Sequence, residues 1–136
     1  MEDDKMKGEK CCGFGASVLR LVLGPLFVIP GVSKLMNPGM IIGMLGSLGF
    51  PAPVFWGWLL LLSEIIFGAS VFLGFKVKYA VWPLVVVLLV ATVTVYLPKL
   101  ATDPTAIVNV LFHLLGIASL VSVFLTGAGA WAVDKE

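Results

Sequence analysis

Residues 54–73 read VFWGWLLLLSEIIFGASVFL. Twenty consecutive residues with one charge match the ~20 residues that an α-helix needs to cross a hydrocarbon core about 30 Å thick. The stretch is too long for a membrane-barrel strand and does not alternate apolar with polar residues. Three more stretches of similar length and character lie at 14–33, 79–97 and 106–126. The sequence therefore predicts an all-α integral membrane four-helix bundle.

Composition requires the same solvent. The chain has 136 residues, enough for one domain, and 60% of them are hydrophobic while 12% are charged. Its mean hydropathy is +1.08. Soluble chains run at about 45–50% apolar and about 25% charged. A soluble fold of this size exposes too much surface to hide so much apolar material. The expected surroundings are thus a lipid bilayer. A formal net charge of +1, with no run of Lys or Arg, excludes a nucleic-acid partner. The first stretch has Lys5, Lys7 and Lys10 before it, as a signal peptide would. Its length, its lack of a small-residue cleavage site and the three later spans identify it as a span.

The connections differ. Gly74 to Lys78 is a tight hairpin between spans two and three, and Asp103-Pro104 suits the start of the fourth helix. Between spans one and two, Met40, Ile41, Ile42, Met44, Leu45 and Leu48 form an apolar stretch too short to cross. It is expected to be a short helix at the interface or against the bundle, ended by Gly49-Phe50-Pro51. Residues 1–13 and 127–136 are expected to be tails. One side collects Lys5, Lys7, Lys10, Arg20, Lys76, Lys78 and Lys135, the other only Lys34 and Lys99. Seven against two predicts that both termini are cytoplasmic. Trp56, Trp58 and Tyr96 mark the outer interface and Trp82 the inner one.

Polar residues inside the spans carry the functional information. An ionisable group at the bilayer centre costs about 2.5–3.5 kcal/mol on insertion scales, so such groups face a protein interior and have partners. Arg20, Lys34, Glu64 and His113 are ionisable, and Asn109 is a neutral polar group. At 3.6 residues per turn, Arg20, Gly24, Phe27, Gly31 and Lys34 share one face of span one. Gly57, Leu61, Glu64 and Gly68 share a face of span two, and Ala106, Asn109, His113 and Gly116 a face of span four. Small residues permit close approach of helices in lipid. The economical arrangement turns all three faces toward one polar cluster, to which span three adds at most Thr92 and Tyr96. Glu64 falls roughly 15 Å below the outer end and His113 roughly 10 Å.

Each of these residues also has a plainer role. A Glu–Arg or Glu–His pair fixes helix register, a terminal Arg or Lys snorkels, and a lone His is commonly a hydrogen-bonded core residue. Glu64 alone favours function over packing, because a midplane carboxylate cannot snorkel. Cys11-Cys12 reads as a pair of free thiols on the reducing side, since a disulfide between adjacent cysteines is strained. One His and that pair supply neither a metal site nor a haem ligand set.

The run Arg20-x-x-x-Gly24, Gly31-x-x-Lys34-Leu35, Gly49-Phe50-Pro51-x-Pro53, Glu64-x-x-x-Gly68 and then Gly74 resembles the DoxX family of small four-helix membrane proteins, over about residues 16 to 97. The resemblance implies a multi-pass protein of a prokaryotic cytoplasmic membrane. It implies a membrane subunit of a redox-associated complex, as the similar DoxD subunit is in thiosulfate:quinone oxidoreductase. The implied partner is a soluble oxidoreductase subunit or a second copy of the chain, and the implied cofactor is a quinone. The polar positions carried over are Arg20, Lys34 and Glu64; Asn109 and His113 complete the expected ligand-binding set. Such a chain is not expected to be catalytic alone, because it lacks redox ligands of its own. Two other functions suit the same residues: a small-molecule transporter or lipid-binding protein, and a structural or chaperone-like membrane protein without a ligand.

Overall fold

The computed structural model describes residues 1–134, without the side chains of residues 9, 10 and 12. Lys10 and Lys135 of the charge asymmetry, and Cys12 of the thiol pair, therefore lie outside the described residues; Cys11 is a free, exposed thiol. Helix α1 spans Glu2–Met36, α2 Pro38–Ser47, α3 Pro53–Leu73 and α4 Val77–Ala91. A π-helical turn at Thr92–Tyr96 joins α4 to α5 (Leu97–Lys99), and α6 spans Ala106–Thr126. The segment Val77–Lys99 is one apolar rod, so four helices are long and apolar enough to cross a membrane. No strand occurs among the described residues. The protein is an all-α, four-helix membrane bundle.

Local chemistry sets the helix ends. Pro38 and Pro53 occupy first-turn positions, where the missing N–H costs no helical hydrogen bond. Gly74 closes α3 in the left-handed region at φ +74. Its N–H donates to the Val71 carbonyl at 3.2 Å, and the Phe75 N–H reaches the Ser70 carbonyl at 2.9 Å. These two bonds satisfy carbonyls that the helix end leaves free. Before α6, Asp103 Oδ1 accepts from the Thr105 N–H at 2.9 Å and from the Thr105 hydroxyl at 2.6 Å. Those bonds, the hydroxyl foremost, hold the Asp103 carboxyl below its ordinary range.

The four spans close a ring. α1 packs on α3 and α6, and α4 packs on the same two, so α1 faces α4 and α3 faces α6 across the interior. The short α2 lies against α3, with Ile41 and Leu45 buried. Close approach of α1 and α3 depends on glycines. A Cβ on Gly68 would stand 2.9 Å from Phe27 Cβ, and one on Gly31 would stand 2.7 Å from Ile65 Cγ1. The faces read from helical periodicity on α1 and α3 turn inward, with Arg20, Phe27, Leu61, Glu64 and Gly68 buried; on α6, Ala106 and Gly116 are buried but Asn109 is exposed. The opposite faces carry exposed Val22, Ile29, Leu59, Ile66, Leu115 and Leu125. Such surfaces are stable in lipid, where the helices satisfy every backbone group internally.

The two halves of the bundle are filled differently. Toward the termini, Leu23, Phe27, Val71, Val77, Val81, Leu84, Leu120 and Val123 belong to one apolar core. The opposite half contains a cavity.

The segments outside the spans also have defined structure. Helix α1 begins at Glu2, so the segment before the first span is helical. Glu2, Asp3 and Asp4 in its first turn favour that start through the helix dipole. The segment after α6 also does not hang free. Positive φ at Gly127 and Gly129 turns it back over the bundle end. The Ala130 N–H donates to the Gly13 carbonyl, Val133 to Leu73 and Asp134 to Gly74, at 3.1–3.3 Å. Trp131 packs edge-on against Phe14, with ring centroids 5.4 Å apart.

Candidate functional site

Lys34, in the last turn of α1, donates to both carboxylate oxygens of Glu64 from α3, at 2.7 and 2.6 Å. Glu64 is 7% exposed, and its partner's side chain is 26% exposed. Close packing of α1 on α3 through Gly31 brings the two together: a Cβ at Gly31 would press within 3.4 Å of Glu64 Cβ. The ion pair offsets the cost of a carboxylate inside an apolar, membrane-length helix, because neither partner is left uncompensated.

The pair faces a cavity of about 260 Å³ to which every span contributes. Lys34 and Glu64 form one wall, and Asn109 and His113 of α6 stand on another. Phe27, Leu88 and Gly116 supply apolar lining. Leu26 and Phe112 also line it and are 37% and 56% exposed on the outer surface of α1 and α6. Surface residues of α1 and α6 therefore form part of the cavity's edge.

Tyr96 completes the polar wall. The tyrosine and His113 rings lie 4.6 Å apart between centroids, inclined at 45°. Helical periodicity indicates Tyr96 only weakly, because it ends a π turn. The extra residue of a π turn rotates the next part of the helix relative to the preceding face, and such turns are frequent at functional sites. The Thr92 hydroxyl, also buried, donates to the Leu88 carbonyl at 2.7 Å and takes no part in the cavity wall. His113 is held by its own helix: Nδ1 lies 2.7 Å from the Asn109 carbonyl.

Of the five sequence-selected residues, four meet here: Lys34, Glu64, Asn109 and His113. Arg20 does not. It lies 14 residues before Lys34, roughly 21 Å along α1 at 1.5 Å per residue. Its guanidinium is buried under the returning C-terminal segment, where Nη2 donates to the Trp131 carbonyl at 2.9 Å. The single-cluster expectation is thus corrected for Arg20. The periodic stripe placed it on the correct face but gave no sign of the segment that covers it. The apolar lining from Leu26, Phe112 and Leu88 carried no sequence signal either, since a cavity-facing Leu and a lipid-facing Leu read alike.

Neither a curated protein nor a solved structure matches the chain. The DoxX family model matches residues 15–97, from the early part of α1 through the π turn. The matched region contains Arg20, Lys34, Glu64, Gly74 and Tyr96 but stops short of Asn109 and His113 on α6. With well over half of the sequence matched, and the ion pair and glycine-mediated packing of α1 on α3 inside that region, the chain belongs to the DoxX family.

Proposed function

We propose that this protein is the membrane subunit of a redox-associated complex and holds the head of a quinone-class molecule in the cavity between α1 and α6. One observation carries the reading: a largely apolar cavity edged by surface residues of α1 and α6 also carries Lys34, Glu64, Tyr96, Asn109 and His113. Ligand sites are characteristically apolar clefts with a few convergent polar groups. At about 260 Å³ the space lies just below the usual ~300–1,000 Å³ range, so it suits a ring-sized head with its tail left outside the cavity. A purely register-fixing ion pair needs no cavity beside it.

In this reading the protein works in a prokaryotic cytoplasmic membrane with both termini in the cytoplasm. A soluble oxidoreductase subunit docks there and supplies the redox chemistry, because this chain brings binding and orientation rather than an electron carrier. The test is calorimetric titration of the protein in lipid nanodiscs with a short-chain benzoquinone. Saturable binding that is lost in Gly116→Leu, which fills the cavity, supports the reading. Equal binding by both proteins, or none by the wild type, contradicts it.

A further inference from the structure

We infer that the segment after α6, residues 127–134, is a displaceable cap over a water-side site for an oxyanion of the phosphate class, formed by Arg20 and the start of α4. The site lies at the bundle end where α3 stops at Leu73 and α4 starts at Val77, so it meets the aqueous phase rather than the hydrocarbon. Arg20 is 1% exposed, yet its Nε and Nη1 have no hydrogen-bond partner among the described residues. Its one bond goes to the Trp131 carbonyl of the cap itself. Buried donors without partners cost free energy, and a guanidinium presents its donors in a planar fork that suits an oxyanion. Closure of the cap thus leaves unmet what a phosphate would satisfy.

The neighbouring backbone favours the same ligand. Nη1 lies against Gly74, where an added Cβ would overlap it. Gly74 opens the turn into α4, whose N-cap Lys76 makes no side-chain cap bond. The first N–H groups of that helix, on Val77 and Lys78, have no intrahelical acceptor. A helix start with free N–H groups and two lysines attracts an oxyanion. Lys76, Val77 and Lys78 line one cleft together with Ala128 and Asp134 of the cap, so the cap brings a carboxylate of its own to the place of the external anion. Three backbone bonds of 3.1–3.3 Å and the Arg20 bond hold the cap, and positive φ at Gly127 and Gly129 turns it. An oxyanion that binds only the open state shifts the equilibrium toward opening.

Amide hydrogen exchange in zwitterionic lipid nanodiscs reads the cap at Ala130, Val133 and Asp134, whose N–H groups make its backbone bonds. Inorganic phosphate, exchanged for chloride at constant ionic strength and pH, should raise exchange at these three amides saturably, by about tenfold at ten times its Kd for the open state. Gly129→Ala places a Cβ within 2.5 Å of Ser17 Oγ and 2.7 Å of the Gly13 carbonyl, so it lifts the cap and leaves Arg20 in place. It should bind phosphate more tightly than the wild type, because more of the protein is open beforehand. Arg20→Gln should abolish the phosphate response in both backgrounds. No saturable response in the wild type overturns the inference, as does a response that survives Arg20→Gln. Opening caused by anionic phospholipid in the nanodisc, without phosphate, assigns the oxyanion to a lipid headgroup and overturns its aqueous source. None of these outcomes bears on the quinone-class cavity, which lies at the other end of α1.

Discussion

Two cations lie on one face of α1, and they are treated in opposite ways. Lys34 meets a carboxylate across the helix interface with both oxygens within 2.7 Å. Arg20 is 1% exposed and receives one backbone carbonyl; its Nε and Nη1 have no partner among the described residues. The surroundings divide in the same way. Lys34 opens onto a cavity, whereas Arg20 sits at the end of a closely filled apolar core, sealed by a folded-back segment. Lys34 is thus neutralised beside a cavity. Charge enclosed by backbone is the arrangement of an end-plate, with the guanidinium bonded to the carbonyl of Trp131.

The largest expected effect is at the sealed end. Gly74 has φ +74, and a Cβ there would collide with Arg20 Nη1 and stand 2.8 Å from Ala132. Gly74→Ala should therefore lower stability by about 2–4 kcal/mol, combining left-handed strain with the loss of the C-terminal closure. Thermal unfolding in detergent measures this, and Arg20→Ala in the same chain should restore part of the loss by vacating the space.

The ion pair comes next. Glu64→Gln leaves Lys34 without its counter-charge and should cost about 1–3 kcal/mol, less than the full cost of a broken buried pair because the lysine is partly exposed. Lys34→Met should cost a similar amount. The double variant should lose clearly less than the sum, and a double-mutant cycle on unfolding temperatures reads the coupling directly.

Arg20→Met should be milder, within about 1 kcal/mol of wild type. It removes a desolvated charge together with a single hydrogen bond to Trp131, and apolar replacement of buried charge is often close to neutral. If Arg20→Met proves as damaging as Glu64→Gln, the contrast between the two ends fails. The smallest effect belongs to Asp103. Its folded pKa is depressed, so its contribution to stability is fully present above the unfolded value near 4 and is lost as pH falls through the lower folded value. Asp103→Ala should thus lower the unfolding temperature slightly at pH 7 and not at all once the pH is below the depressed folded value.

The two ends were also unequally legible in the sequence. Hydropathy located the spans, and the 3.6-residue repeat identified the inward faces of α1 and α3 and part of that of α6, where Asn109 is exposed, because lipid imposes helix and the polar residues reveal the interior. Glu64 stood out on energetic grounds, and its partner was among the residues named. Periodicity, however, gives rotation about one helix and no information on what packs over its end. The closure over Arg20 depends on Gly127, Gly129 and a single Trp131, none of which lies in a periodic pattern. Tyr96 was obscured by the π turn that repositions it.

The central claim is that the half of the bundle around Lys34 and Glu64, and not the sealed half around Arg20, receives a ligand from the lipid. A photoreactive quinone in proteoliposomes, with peptide mapping of the cross-link, tests it most directly. The account predicts labelling concentrated on the stretches holding Leu26–Lys34 and Asn109–Gly116, competed away by unlabelled hydroquinone. Labelling spread evenly over the lipid-facing surfaces, or concentrated near Arg20 and Trp131, would contradict it.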